Sequence, residues 1–232
     1  MKTYISVLFL VFTTSLFAQI INQYDNNGKR HGVWKKYFDK TKELRYEGQF
    51  NHGKEVGLFK FYTLNKGKSV LSATKEFNDA NNTSVVKFMS SKGKLISEGQ
   101  MDGKLYIGQW TFYHNKSNGV MSTELYNDKG ELHGEKLVYY PNGKVAERSN
   151  YADGKLNGKS TWYTEKGNVL KVFEYKNDEL NGLSKYYDND GNIKAEGVYK
   201  DGLKHGVWKY YEAGKLVKSK DHTKRSKNPN RQ

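Results

Sequence analysis

The side chains best suited to chemistry are few and widely spaced. His31, His133 and His205 each stand directly before a glycine, at Gly32, Gly134 and Gly206. Three imidazoles invite a zinc site, which needs ligand nitrogens ~2.0–2.1 Å from one ion. His133 and His205 recur three repeats apart, however, and at two strands per repeat that separates them by roughly 29 Å. They cannot share a metal, and a turn position reused by repetition accounts for them. Asp188-Asn189-Asp190-Gly191-Asn192 has the opening composition of a calcium loop. Such a loop carries glycine at its sixth position and a carboxylate at its twelfth; here the glycine is fourth, so the segment reads as a hairpin turn. The chain has no Cys, which excludes thiolate metal sites, a cysteine nucleophile and a disulfide framework. Neither a nucleophile elbow, a phosphate-cradling glycine loop nor an HExxH pair occurs. The expectation is a non-enzymatic protein with no catalytic residue, cofactor or metal.

What remains is a binding surface, and aromatic side chains are its first candidates. The chain holds 18 Tyr, 11 Phe and 4 Trp among 232 residues, with only 2 Pro and 36% hydrophobic residues. A disordered chain of such low apolar content would be aromatic-poor, so these rings pack somewhere. Trp34, Tyr37, Phe59, Tyr62, Trp110, Tyr113, Tyr139, Trp162, Tyr163, Tyr187, Trp208 and Tyr211 form a ladder. It could stack sugars or receive a partner's strand, but with so little aliphatic content it more readily supplies the core itself.

The elements that position this ladder repeat. Glycines at 32, 57, 108, 134, 158, 182 and 206 mark a recurring unit, and the gap between 57 and 108 admits one degenerate copy. Placing its marker at Thr83 gives spacings of 25, 26, 25, 26, 24, 24 and 24, and puts an aromatic residue five positions after every marker, Phe88 included. The second and fourth positions after each marker share one face of a strand, since side chains alternate with period two. Turn signals such as Asn142-Gly143, Lys166-Gly167 and Asp190-Gly191 follow, where glycine tolerates the positive φ of a tight hairpin. Turns recur every ~10–14 residues, which leaves no room for three-turn helices. The prediction is all-β: an elongated open antiparallel meander of about eight hairpin repeats over residues 19–217.

The two ends differ from this array. Met1 to Ala18 has a basic Lys2, an apolar stretch from Tyr4 to Phe12 and a small residue at Ala18, the layout of a secretory signal peptide. The expected mature protein is therefore exported to the periplasm, outer envelope or medium. Residues 218–232 read as a flexible basic tail carrying Lys218, Lys220, Lys224, Arg225, Lys227 and Arg231. The whole chain has a formal charge of +14. Its basic residues are overwhelmingly Lys, which binds phosphate as a point charge and suppresses edge-to-edge sheet aggregation. Export would separate the protein from nucleic acid, which ranks anionic phospholipid or envelope glycan above it as a polyanionic partner.

Glu196-Gly197-Val198-Tyr199-Lys200-Asp201-Gly202-Leu203-Lys204-His205-Gly206-Val207-Trp208 and Gly28-Lys29-Arg30-His31-Gly32-Val33-Trp34 resemble MORN repeats. They are similar above all to the bacterial MORN variant of YwqK-family antitoxin proteins of toxin–antitoxin systems. The resemblance spans about residues 26–217. It implies an open, twisted antiparallel sheet of consecutive hairpins, and roles in scaffolding, dimerisation or phospholipid binding. Together with the residues it makes a protein partner, a toxin among the candidates, the leading expectation, with electrostatic attachment to anionic lipid or envelope glycan as the alternative.

Overall fold

The computed structural model describes residues 20–223. The expected leader, and Lys224, Arg225, Lys227 and Arg231 of the expected tail, lie outside the described residues. The strands begin with β1 (Gln23–Tyr24), β2 (Arg30–Tyr37), β3 (Leu44–Asn51), β4 (Lys54–Asn65), β5 (Lys68–Phe77) and β6 (Thr83–Met89). They continue with β7 (Leu95–Asp102), β8 (Leu105–Tyr113), β9 (Val120–Tyr126), β10 (Gly134–Tyr139), β11 (Val145–Ala152), β12 (Lys155–Leu156) and β13 (Gly158–Tyr163). Last come β14 (Val169–Lys176), β15 (Glu179–Leu180), β16 (Gly182–Tyr187), β17 (Ile193–Lys200), β18 (Leu203–Glu212) and β19 (Lys215–Asp221). Pairing is antiparallel and follows chain order from β1 to β19. One open sheet of consecutive hairpins results. Setting aside the three two-residue strands leaves sixteen, which at ~4.8 Å spacing extend the sheet over roughly 70 Å.

The marker glycines have a conformational reason. Gly32, Gly57, Gly108, Gly134, Gly158, Gly182 and Gly206 all take positive φ, between 62° and 123°, a region that L side chains enter at a cost. At several of them the strand bulges against its predecessor: the register skips between Glu47 and Gln49, Glu98 and Gln100, and Glu196 and Val198. A second bulge falls near the end of each repeat's first strand, as between Phe112 and Tyr113. Turns on one rim are also bonded to the preceding repeat boundary, through Gly53 N–H to Arg30 O, Gly154 N–H to Leu132 O and Gly202 N–H to Leu180 O.

Two expectations need correction. In the degenerate copy the marker is Ser84, not Thr83. Ser84 pairs with Met101 as Gly108 pairs with Tyr126, and the end-of-strand bulge falls between Phe88 and Met89. Phe88 is therefore the fourth residue of its copy, and its aromatic match at the fifth position was a coincidence of sequence. The β5–β6 pairing runs without a register shift, so no left-handed residue is required and glycine is dispensable. The basic tail also starts too early. β19 continues the ladder to Asp221, pairing Lys218 with Tyr210 and Lys220 with Trp208, so these two lysines belong to the last strand.

Candidate binding faces

The predicted aromatic ladder divides between the two faces of the sheet. Trp34, Phe59, Trp110, Trp162 and Trp208 lie on one, called here the aromatic face. Strand alternation puts Tyr37, Tyr62, Tyr113, Tyr139, Tyr163, Tyr187 and Tyr211 on the other. The split has different consequences for each set.

On the aromatic face the rings bury themselves against one another, with no second layer among the described residues. Trp110 and Trp208 are 0% exposed and Phe59 is 1% exposed. Tyr106 stacks on Trp110 with centroids 3.7 Å apart, and Lys204 Nζ sits 4.1 Å over the Trp208 ring. What admits such large rings is the residue facing them across each repeat junction. Gly48 faces Phe59, Gly99 faces Trp110 and Gly197 faces Trp208; a Cβ at Gly99 would stand 2.5 Å from Trp110 Cδ2, and one at Gly48 or Gly197 would collide with its ring. Elsewhere the sizes redistribute. Extending the register of the neighbouring pairs sets Phe173 towards Ser184 and Ser149 towards Ser160, and Lys75 pairs with Val86. The indole N–H groups then take carbonyls beside the bulges: Trp110 Nε1 donates to Gln100 O at 2.8 Å and Trp208 Nε1 to Val198 O at 3.1 Å. In the serine-type repeats a backbone N–H does this work, from Asn157 to Asn150 O and from Asn181 to Glu174 O.

One junction on this face is ionic. Lys136 opposes Glu124 where its counterparts are packed by size, with Nζ 2.9 Å from Glu124 Oε1. Tyr126 Oη donates to the other carboxylate oxygen at 2.6 Å. Burial pulls the Lys136 ammonium down, but its hydrogen bond to Glu124 and the charges of Glu124 and Glu147 outweigh this and hold it above its usual range. Burial and the Glu124 carboxylate push the Tyr126 phenol up.

The opposite face mixes lysines, glutamates and aliphatics. Glu47 lies 3.6 Å from Lys35 and 3.7 Å from Lys60, Glu98 lies 3.3 Å from Lys87, and Glu196 lies 3.6 Å from Lys185. The same glutamates accept phenol hydrogens from Tyr62 at 2.8 Å, Tyr113 at 2.5 Å and Tyr211 at 2.8 Å. Burial and the Glu47 bond raise Tyr62 to about 12; the Glu98 bond, then burial, raises Tyr113 to about 12. Glu47 and Glu98 shift down in return, each chiefly through its tyrosine hydrogen bond. Nearer the marker glycines run Leu58, Val85, Leu125, Leu183, Val198 and Val207, each between 39% and 54% exposed. Leu183 and Val198 are directly paired across β16 and β17.

Sequence reading passed over the partners of these rings. Glu47-Gly48, Glu98-Gly99 and Glu196-Gly197 recur as a dipeptide, which was the available signal: glycine receives the ring on one face while glutamate holds the tyrosine on the other. The histidines are far apart in use as well. His31 packs on the His52 ring with centroids 4.8 Å apart, and His133 Nδ1 lies 3.5 Å from Asp153 Oδ1. Among the described residues no three metal-capable side chains converge. Asp188 to Asn192 closes the β16–β17 hairpin, with Asp188 Oδ1 accepting the N–H groups of Asp190 and Asn192 at 2.9 Å. No curated protein matches the chain. Three consecutive stretches, residues 132–153, 156–177 and 180–201, match the model of the MORN repeat variant family.

Proposed function

We propose that this chain is an exported, non-enzymatic binding or scaffolding protein that presents its lysine- and aliphatic-bearing face to a protein partner. The observation that carries this reading is the contrast between faces. Trp110 and Trp208, which look most like binding groups, are consumed in packing, whereas Leu183, Val198 and Val207 form an uncovered aliphatic patch on adjacent strands. Exposed apolar patches rimmed by polar residues mark interaction sites. An antitoxin-like role, in which this face sequesters a toxin outside the cytoplasm, is one form of the proposal. The ion pairs favour a protein over a polyanion. Lys35, Lys60, Lys87 and Lys185 each have a glutamate within 4 Å, so this face offers alternating charge rather than a continuous basic strip.

A photo-crosslinking side chain at position 183 or 198 tests the reading in the producing cell. One specific crosslinked protein, retained as salt is raised, is the expected result. Binding only to anionic vesicles, collapsing with salt as screening requires, would overturn it in favour of electrostatic adhesion. Cell fractionation with N-terminal sequencing tests export: a mature chain starting near Gln19 is expected, and an intact Met1 in the cytosol would refute it.

A further inference from the structure

The two ends of the sheet are finished differently. The outer edge of β2 is closed by β1 and its approach: Asn22 N–H bonds Val33 O at 2.8 Å, Asn22 Oδ1 accepts Lys35 N–H at 2.8 Å, and Trp34 Nε1 donates to Gln23 O at 3.0 Å. At the other end every residue of β19 is exposed, and among the described residues no strand pairs with the outer side of its stretch from Lys215 to Lys220. β19 contains no proline and only one acidic residue against Lys215, Lys218 and Lys220. A strand edge presents a row of backbone donors and acceptors that another strand can complete.

From this geometry we propose that β19 is a docking edge for an extended acidic segment of another protein, which adds to the sheet as a further strand. The side chains specify the occupant. Lys218 and Lys220 stand on the aromatic face beside Tyr210 and Trp208, while Leu216 stands on the other beside Tyr211. An added strand with carboxylates at alternate positions would set them next to the lysines and its apolar residues next to Leu216. Opposite charges across a strand pair stabilise it and like charges oppose it. A second copy is therefore disfavoured at β19 by lysine against lysine, and at β2 by the closed edge. The site is separate from the broad face proposed above, and either can fail without the other.

The test titrates the full chain into a fluorescein-labelled heptapeptide, Thr-Glu-Val-Glu-Val-Glu-Thr, by anisotropy, with amide hydrogen exchange on β19. Saturable binding is expected, together with fast exchange of the outward β19 amides in the free chain and their protection in the complex. Lys218→Glu with Lys220→Glu should weaken binding at least tenfold at an unchanged melting temperature. Peptides N-methylated at alternate residues, in each of the two registers, should include one at least tenfold weaker than the parent. That comparison uses the unaltered chain and decides the matter even where the lysine variant misfolds. Binding of both methylated peptides as tight as that of the parent would reduce the effect to charge and overturn strand addition. So would β19 amides already protected in the free chain, which would show the edge occupied by a second copy or by residues 224–232.

Discussion

Replacing Gly99 by alanine should destabilise the array far more than one methyl group suggests. Gly99 has no positive φ, so no backbone strain enters. Removing a glycine's freedom in the unfolded chain would, taken alone, stabilise by ~0.4–1 kcal/mol. The new Cβ, however, would stand 2.5 Å from Trp110 Cδ2, about 1–1.5 Å inside the optimal carbon–carbon separation of ~3.5–4.0 Å. Trp110 is fully buried against Val86, Met101, Tyr106 and Phe112, so the ring has nowhere to retreat. Overpacking of this kind costs about 1–3 kcal/mol. Displacing the indole also breaks its bond to Gln100 O, and a carbonyl left unsatisfied adds about 1–3 kcal/mol. The net expectation is a loss of about 3 kcal/mol, within the range of about 1–5.6 kcal/mol that the two costs less the entropic gain allow. Urea denaturation followed by circular dichroism, with hydrogen exchange on β7 and β8, measures it; exchange is included because unfolding of a repeat array need not be two-state. Gly119→Ala is the control, since it too lacks positive φ and its Cβ would meet only Ser117 Oγ at 3.5 Å and His114 Cδ2 at 3.8 Å. A Gly99→Ala variant no less stable than Gly119→Ala would refute the size-matching account of the repeat junctions.

The same account predicts that Ser184→Trp alone is destabilising, while Ser184→Trp with Phe173→Gly, which copies the Gly197–Trp208 junction, recovers much of the loss; a double-mutant cycle on urea midpoints reads the coupling. Trp110→Ala or Trp208→Ala should cost about 3–5 kcal/mol through the cavity left behind, so any loss of partner binding in these variants should track loss of folded protein in a melt. The Tyr113 phenol is raised to about 12 with the Glu98 bond as first cause, so the stabilisation it contributes is present below about pH 10, the ordinary tyrosine range, and is lost as pH rises towards 12. Glu98→Gln should move one tyrosine transition in the 295 nm absorbance titration down towards the ordinary value, and an unchanged curve would contradict the assignment. Glu124→Gln leaves Lys136 half-buried without its carboxylate and should cost about 1–2 kcal/mol, below the range for a fully buried pair because the site is partly solvated; adding Lys136→Met should restore part of it in a thermal melt.

Much of this protein is settled by its sequence. Glycine at near-constant spacing with aromatics at fixed offsets can satisfy only a meander of short strands, because the turn spacing is too short for helices and period-two alternation dictates which residues share a face. Sheet order follows, since each hairpin pairs with its neighbour in the chain. The tertiary structure decided what depends on distances between residues of different repeats. That Gly48, Gly99 and Gly197 receive rings, that Glu124 and Lys136 replace such a junction by charge, and that β19 extends to Asp221 all arise from cross-strand register. A one-residue change of register exchanges the faces, which is how a marker read at Thr83 rather than Ser84 could satisfy the repeat spacing yet misplace Phe88. Bulges add or skip residues without altering the spacing of the turns, so composition and periodicity are blind to them. The functional reading inherits that limit: Trp110 and Trp208, conspicuous in the sequence, belong to the core, and the exposed aliphatics that face outward beside paired lysines are ordinary residues until the sheet places them together.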